Sequence, residues 1–242
     1  MIKAVIFDLG GTLIERGRKS FEPGNATALR EWLRGRGHDV EAEFAGAVVA
    51  EREASFAGRT GTREVRAVEA LRPVLERYGL PTDDTFLIAA ESGFYEPELR
   101  AMRLLPDAFE VLEQLRARQL RTGLASNATS HYFVEECCRR LRINQYLDPI
   151  MSSAAIGWAK PDSRIFNAIL KPWEIIPEQA VMVGDSVAAD IAGARAIGMR
   201  SILLTTEHSP GEPRTWEGVQ ADAETSTLRE ARQIIERWLQ ER

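Results

Sequence analysis

From Pro106 onward, short apolar runs alternate with segments of helical periodicity. The predicted strands are 121–125, 149–152, 180–183 and 200–204. The predicted helices are 107–118, 130–141, 162–170 and 187–197. A short strand near residues 221–223 and an amphipathic helix from about Thr227 complete the pattern. Because strands that alternate with helices form βαβ units, this region is predicted to be a parallel sheet covered by helices.

One more strand is predicted far upstream, at residues 3–7, where a β-branched and aromatic run ends in a Gly-Gly turn. Between about Asn25 and Arg103, helical spacing dominates and no strand pattern is convincing. The economical explanation is a helical block inserted after the first strand. We therefore predict the α/β class, with a Rossmann-like parallel sheet core at 1–16 and 104–242 and an inserted all-helical cap domain at 17–103.

Charge and composition restrict the partners that we expect. A formal net charge of -5 gives no basic excess that could hold a phosphate backbone, so nucleic acid is not expected. No apolar run approaches the roughly 18 residues that a membrane helix needs. Cys137 and Cys138 are adjacent, which disfavours a disulfide between them, so we expect reduced thiols in a cytoplasmic protein, one packed and one facing outward. The sequence leaves monomer and homodimer open.

Polar residues follow the predicted strands at four places. They are Asp8, Ser126-Asn127, Lys160-Pro161, and Gly184-Asp185-Ser186 with Asp190. Ligand sites of open parallel sheets lie at the carboxyl ends of the strands, so these residues are predicted to share one site. This set suits attack by a carboxylate on a phosphoryl group. Asp8 is the candidate nucleophile, and a hard cation such as Mg²⁺, held by Asp8 and Asp185, would reduce the repulsion between attacker and substrate.

The same four segments resemble motifs of a known family. Asp8-Leu-Gly-Gly-Thr-Leu13, Leu124-Ala-Ser-Asn127, Lys160-Pro-Asp162 and Val183-Gly-Asp-Ser-Val-Ala-Ala-Asp190 are similar to motifs I to IV of the haloacid dehalogenase (HAD) superfamily. The resemblance spans essentially the whole chain. It implies a hydrolase with a type 1 helical cap that closes over the site and helps to choose a small phosphorylated substrate.

The resemblance also implies a role at each matching position. Asp8 and Lys160 would be catalytic, with Lys160 tying a phosphoryl oxygen to Asp8. Mg²⁺ would be held by Asp8, the carbonyl of Gly10 and Asp185, and Asp190 would support this metal site from behind. The predicted substrate-binding residues are Ser126, Asn127 and Thr12.

Each of these residues also has a plainer interpretation. Asp185 could cap the following helix, Asp190 could be a solvated helix residue, Lys160 a loop charge, and Ser126 and Asn127 a turn pair. Thr12 could satisfy loop backbone groups. Four residues beside the motifs stay open: Arg16, Arg18 and Lys19 as a solvated cluster or a substrate contact, and Trp158 as pocket or core. His131 is expected in the first turn of the helix after Asn127.

Residue 10 departs from the pattern of the phosphatases in this superfamily. They place a second aspartate two residues after the nucleophile, where it protonates the leaving alcohol and later activates water, and this chain has Gly10 instead. A positioned acid or base contributes roughly 10²- to 10⁴-fold in rate. Its absence should therefore matter most for alkyl phosphates, and least for activated phosphates such as acyl or aryl phosphates.

Three interpretations follow from Gly10. The first is a Mg²⁺-dependent phosphatase with a phospho-aspartyl intermediate, in which the substrate class is narrowed or a cap residue or water replaces the aspartate. The second is a dehalogenase-like or phosphonatase-like hydrolase, although dehalogenases do without metal and the cap lysine of phosphonatases has only Lys19 as a counterpart here. The third is a catalytically weakened scaffold that binds a ligand or a protein partner.

Overall fold

A computed structural model describes residues 1–15, 21–206 and 216–241. In this part of the chain, six parallel strands form one sheet in the order β3-β2-β1-β4-β5-β6. The strands are β1 Ala4–Phe7, β2 Arg121–Ser126, β3 Ile150–Ser152, β4 Ala180–Gly184, β5 Arg200–Leu204 and β6 Ala223–Thr225. The order reverses direction at β1, which pairs with β2 on one side and β4 on the other. This is the doubly wound arrangement that the alternating pattern predicts.

Helices cover the sheet and fill the segment after β1. They are α1 Phe21–Arg34, α2 Glu43–Ala57, α3 Ala67–Arg77, α4 Asp84–Ala101, α5 Ala108–Ala117, α6 His131–Arg140, α7 Ser153–Ile156, α8 Ser163–Trp173, α9 Ala192–Ala196 and α10 Leu228–Gln240. Most predicted elements lie within a few residues of these bounds. The helix predicted at 187–197 is instead a π-helical turn, Val187–Ile191, followed by α9. The last strand lies two residues later than predicted, because Ala223 to Thr225 pair with Ile202 to Leu204.

The two faces of β1 explain why its residues are apolar throughout. Val5 and Phe7 pack in the larger core cluster, which includes residues of α5 and α10. Ala4 and Ile6 pack in a second cluster with residues of α8. All four side chains are fully buried, as expected for a central parallel strand with helices on both faces.

Helices α1 to α4 pack against one another, with α1 against α4 and α2, and α2 against α3. No strand lies between α1 and α4 among the described residues, in agreement with the predicted helical block. The exact boundaries of the cap at residues 17 and 103 remain a prediction. None of the described helices combines the length and the apolar character that crossing a membrane requires.

The segment at residues 62–67, inside the predicted cap, runs along the core. The Ala159 amide donates to the carbonyl of Thr62 at 2.7 Å, and the Glu64 amide donates to Gly157 at 3.0 Å. Arg63 and Trp158 form an antiparallel bridge. These contacts attach the helical block to the loop that precedes Lys160.

Both cysteines of α6 are buried and free, so the expectation that one of them faces outward is wrong. The reason is that α6 lies between α4 on one side and β3 on the other. Both thiols therefore pack in the larger core cluster. Burial raises the pKa of Cys137 to about 12, which keeps this thiol protonated.

Glu91, a buried carboxyl group of α4, makes stability depend on pH. Burial raises its pKa to about 7, although Ser130 and Arg52 act in the opposite direction. Between pH 4.5 and 7 the folded chain thus holds a proton that the unfolded chain releases, so this group lowers stability as the pH rises. We expect Glu91→Gln to match wild type near pH 5 and to be more stable at pH 8, by up to about 3 kcal/mol.

Urea unfolding at pH 5 and pH 8 measures this difference. Glu53→Gln, which changes an exposed glutamate of α2, is the matched control and should follow wild type at both pH values. A Glu91→Gln variant whose stability relative to wild type is the same at the two pH values would contradict the assignment of Glu91.

Candidate active site

The candidate site lies at the carboxyl ends of β1, β2 and β4. The amide of Asp8 donates to the carbonyl of Val183 at 2.9 Å, so Asp8 continues the pairing of β1 with β4. Asp185 directly follows β4, and Ser126 ends β2. Because the strand order reverses at β1, the helices leave the sheet on opposite sides here and open a crevice between their starting points.

Lys160 joins two of the predicted site carboxylates. Its Nζ lies 2.6 Å from Asp8 Oδ1 and 2.6 Å from Asp190 Oδ1. It also donates to the carbonyl of Ala125 at 2.6 Å. Since the Lys160 side chain is 1% exposed, the ammonium has exchanged its water for these three oxygens. The interpretation of Lys160 as a loop charge is therefore wrong.

Among the described residues that line the cavity, carboxyl groups outnumber basic groups. Burial raises the pKa of Asp190, and the neighbouring Asp8 raises it further, while Lys160 lowers it. Burial disfavours the charged form of Lys160, but Asp190 and Asp8 outweigh it and raise the pKa of this ammonium. Among the described residues, three buried carboxyl groups, those of Asp8, Asp185 and Asp190, thus share the site with the buried ammonium group of Lys160.

The arrangement of these carboxyl groups fits a bound cation. Asp8, Asp185 and Asp190 are buried, and each offers a carboxylate oxygen that lies within 4.8 Å of the others. Oxygen donors of this kind are the ligands that Mg²⁺ prefers. Gly10 also lines the cavity beside these carboxylates, as its predicted backbone contribution requires. The donor set is therefore suitable for a divalent cation.

The turn after β4 holds Asp190 against Gly184. The cap of the following helical turn is Ser186, whose hydroxyl accepts from the Ala189 amide at 3.3 Å, so Asp185 is not that cap. Asp190 Oδ2 accepts from the Ser186 amide at 3.0 Å. A Cβ atom added at Gly184 would lie 2.2 Å from that same oxygen. Only glycine leaves room for this carboxylate.

The three predicted substrate-binding residues have different surroundings. Ser126 is buried and lines the cavity. Asn127 lines it too, but its amide is bonded to the backbone of Lys160, donating to the carbonyl at 3.0 Å and accepting from the amide at 2.7 Å. Asn127 thus positions Lys160. Thr12 is fully buried and outside the cavity lining, and its hydroxyl has no partner among the described residues.

The cavity above these residues has a volume of about 340 Å³. Two residues of the helical block, Glu98 and Met102, form part of its wall, and Phe133 of α6 contributes an aromatic ring. The sequence analysis did not identify these three residues. The ends of the strands and the family motifs predict which core residues line the cavity. The sequence pattern of a helix does not predict which of its side chains lies against a neighbouring domain.

The structure decides the role of some of the residues beside the motifs that the sequence left undecided. Arg16, Arg18 and Lys19 lie outside the described residues. His131 begins α6, as expected, and its Nδ1 lies 3.1 Å from Ser152 Oγ. Trp158 is half-buried and does not line the cavity with Asp8. The Arg164 guanidinium stacks on the Trp158 ring, 3.3 Å from its centroid, so Trp158 has a packing role.

Comparison with known proteins agrees with this geometry. The sequence profile of the haloacid dehalogenase-like hydrolases matches residues 2–198. The chain belongs to this family. It is therefore a HAD-like hydrolase, and its α/β core is the fold that the four motifs predict.

Similar proteins within the family include phosphatases and dehalogenases. A ribulose-1,5-bisphosphate 5-phosphatase of Halopiger xanaduensis is 30% identical, covering 97% of this chain and all of that protein. A glyceraldehyde 3-phosphate phosphatase of Pyrococcus abyssi is 28% identical, over 84% of this chain and 81% of that protein. The crystal structure of a 2-haloacid dehalogenase from Pseudomonas syringae is 27% identical, over 98% of this chain and 100% of that chain, with a TM-score of 0.68.

The contact between Gly184 and Asp190 can be tested by adding one methyl group. We expect Gly184→Ala to lower the free energy of unfolding by about 1–3 kcal/mol, because the new Cβ displaces the Asp190 carboxylate. Urea unfolding measures the loss. Gly46→Ala in α2, where an added Cβ meets no atom within 4 Å, is the control and should be neutral or slightly stabilising. Equal stability of Gly184→Ala and wild type would contradict the close approach.

Proposed function

We propose that this hydrolase is a Mg²⁺-dependent phosphatase that acts on a small phosphorylated metabolite through a phospho-aspartyl intermediate. The observation that carries the proposal is the buried cluster of Asp8, Asp185, Asp190 and Lys160 at the base of the cavity. Three carboxylates around one ammonium fit a cation and a phosphoryl group better than a neutral substrate. The polar cavity floor and its volume of about 340 Å³ suit a small anionic ligand.

In the first half-reaction, a carboxylate oxygen of Asp8 attacks phosphorus while the bond to the leaving oxygen breaks. Lys160 holds the Asp8 carboxylate at 2.6 Å and offsets the charge of the phosphoryl oxygens. Ser126, at the end of β2, donates to one of these oxygens. Asp8, Asp185 and the Gly10 carbonyl would hold a Mg²⁺ ion, whose positive charge would reduce the repulsion between the two anions.

In the second half-reaction, water attacks the phosphorus of phospho-Asp8 and releases the carboxylate. Asp190 keeps Lys160 and the turn after β4 in place, through contacts of 2.6 Å to Nζ and 3.0 Å to the Ser186 amide. Asn127 fixes the backbone of Lys160 from the other side. These residues position the nucleophile. Residue 10, which carries the proton donor in phosphatases of this family, is a glycine here and has no side chain that could donate a proton.

The relatives favour an alkyl phosphate monoester as the substrate class. The two phosphatases compared above are named for ribulose-1,5-bisphosphate and glyceraldehyde 3-phosphate, which are phosphates of small hydroxy compounds. This class differs from the activated phosphates that Gly10 alone favours. We therefore propose a phosphorylated sugar or triose as substrate, and a proton source elsewhere in the cavity.

Dehalogenation of a 2-haloacid is the second candidate function. The structure of a 2-haloacid dehalogenase superimposes along the whole chain, and its sequence is more than a quarter identical. The cluster of three carboxylates weighs against it, because a carboxylate substrate of this kind needs no cation beside the nucleophile. Release of halide from 2-chloropropionate is the assay that separates the two functions.

The proposal is tested with purified protein and a panel of sugar phosphates, glycerol phosphate and para-nitrophenyl phosphate. We expect phosphate release with Mg²⁺, its loss on treatment with EDTA, and recovery when Mg²⁺ is restored. Asp8→Asn should abolish turnover because it removes the nucleophile. Asp39→Asn, which changes an exposed aspartate, is the matched control. Phosphate release by Asp8→Asn at the wild-type rate, or halide release in place of phosphate release, would overturn the proposal.

A further inference from the structure

We infer that Glu98 of α4 is the acid and base of this enzyme, replacing from the helical block the aspartate that the family carries at position 10. The inference rests on the proposed phosphatase function and assigns the residue that handles the proton. Apart from Asp8, Asp185 and Asp190, Glu98 is the one carboxyl group among the described residues that line the cavity. Those three are committed to Lys160 and to the proposed cation.

Neighbouring helices hold Glu98 in place. Asn25 of α1 is 1% exposed and donates from its amide to Glu98 Oε2 at 3.1 Å. Glu98 is half-buried and forms part of the cavity wall. One carboxyl oxygen is thus bonded to a buried side chain. Such an anchor fixes the direction of the group, as a proton donor requires.

The surroundings of Glu98 favour its protonated form. Burial raises the pKa of this carboxyl group, and Glu22 raises it further, while the hydrogen bond from Asn25 and the charge of Arg52 lower it. Arg52 is itself engaged with Glu22, at 2.7 Å from Nε to Oε1. A carboxyl group with a raised pKa holds a proton nearer to neutral pH, and gives it up more readily than an alcohol.

Residue 10 offers no side chain that could donate a proton. A Cβ atom added at Gly10 would meet no atom of the described residues within 4 Å. The backbone of Gly10 does not have a positive φ, and a larger residue would be accepted there. The cavity therefore stays open between Gly10 and the wall formed by Glu98 and Met102.

The two half-reactions balance with Glu98 in this role. As an oxygen of Asp8 bonds to phosphorus, the bond from phosphorus to the ester oxygen breaks, and that oxygen takes the electron pair and the proton of Glu98. The products are an alcohol, phospho-Asp8 and the Glu98 carboxylate. Water then bonds to phosphorus and gives a proton to Glu98, the bond from phosphorus to Asp8 breaks, and phosphate leaves. Both carboxyl groups return to their starting states.

The test compares Glu98→Gln with wild type in rapid-mixing experiments on two substrates. With glycerol phosphate, whose leaving alcohol needs a proton, we expect phosphorylation of Asp8 to slow by about 10²-fold or more. With para-nitrophenyl phosphate, the burst of nitrophenol should keep its rate within about threefold, since this leaving group departs without a proton. Loss of the base should then slow the second half-reaction, so that phospho-Asp8 accumulates and is detected by intact mass.

Glu91→Gln is the matched control, since it is the same substitution in the same helix. Glu91 lies seven residues earlier on a similar face of α4 and lines a different cavity. The Glu91→Gln variant should phosphorylate Asp8 at the wild-type rate with both substrates and should leave the amount of phospho-Asp8 unchanged. Glu98→Asp, which keeps a carboxyl group, should retain part of the activity on glycerol phosphate and shows whether loss of folding explains the Gln variant. If Glu98→Gln slows the phosphorylation of Asp8 equally with both substrates, Glu98 is a structural residue and the inference is overturned.

Gly10→Asp provides the rescue. In the Glu98→Gln background it should raise turnover of glycerol phosphate by at least about tenfold, and in wild type by less than about threefold. An equal, large increase in both backgrounds would mean that wild type has no acid, which overturns the role of Glu98. Those outcomes leave the phosphatase proposal standing. That proposal fails instead when wild type forms no phospho-Asp8 with either substrate.

Discussion

The ammonium group of Lys160 is the interaction on which the site depends. It lies between Asp8 and Asp190, each at 2.6 Å, in a place that water does not reach. A buried carboxylate without such a partner would lose several kcal/mol of hydration, and two facing carboxylates would repel each other. Lys160 therefore allows β1 and the turn after β4 to end side by side. The same arrangement places several carboxyl groups around one ammonium group, and this is the observation on which the proposed binding of a cation and a phosphoryl group rests.

The position of Lys160 links the site to the helical block. Its loop is held by Asn127 on the core side, while the residue before it, Ala159, is bonded to Thr62 of the predicted cap. Nearby, the hydroxyl of Ser153 in the core donates to Glu64 of the predicted cap. The segment at residues 62–67 is thus a fixed attachment of the cap. A cap joined to the core so close to Lys160 helps to position both its own cavity wall and the Lys160 ammonium group.

The sequence was sufficient to predict the α/β core and several of the residues that the core contributes to the cavity. A parallel strand buried on both faces must be apolar until it ends, so Asp8 and Asp185 are visible as the first carboxylates after such runs. The sequence did not predict two features. One is the exact position of the last strand, which is only three residues long and whose register depends on pairing with β5, which no local pattern records. The other is Glu98, which lies in a helix with polar residues on several sides, and only the packing of α4 shows which of them lines the cavity that contains Asp8.

An acid on the cap has a consequence that an acid at residue 10 would not have. Asp8 and a residue two positions later move together, so their geometry is fixed whether the cavity is open or closed. Glu98 is carried by a different part of the chain and lines the cavity from α4, so in the inferred role it would reach the leaving group only while α4 lies over the core. Proton transfer then requires the cap and core to be together, with the substrate enclosed between them. The bond to phosphorus would break efficiently only for a substrate that allows this closure, so the residue that supplies the proton would also contribute to specificity.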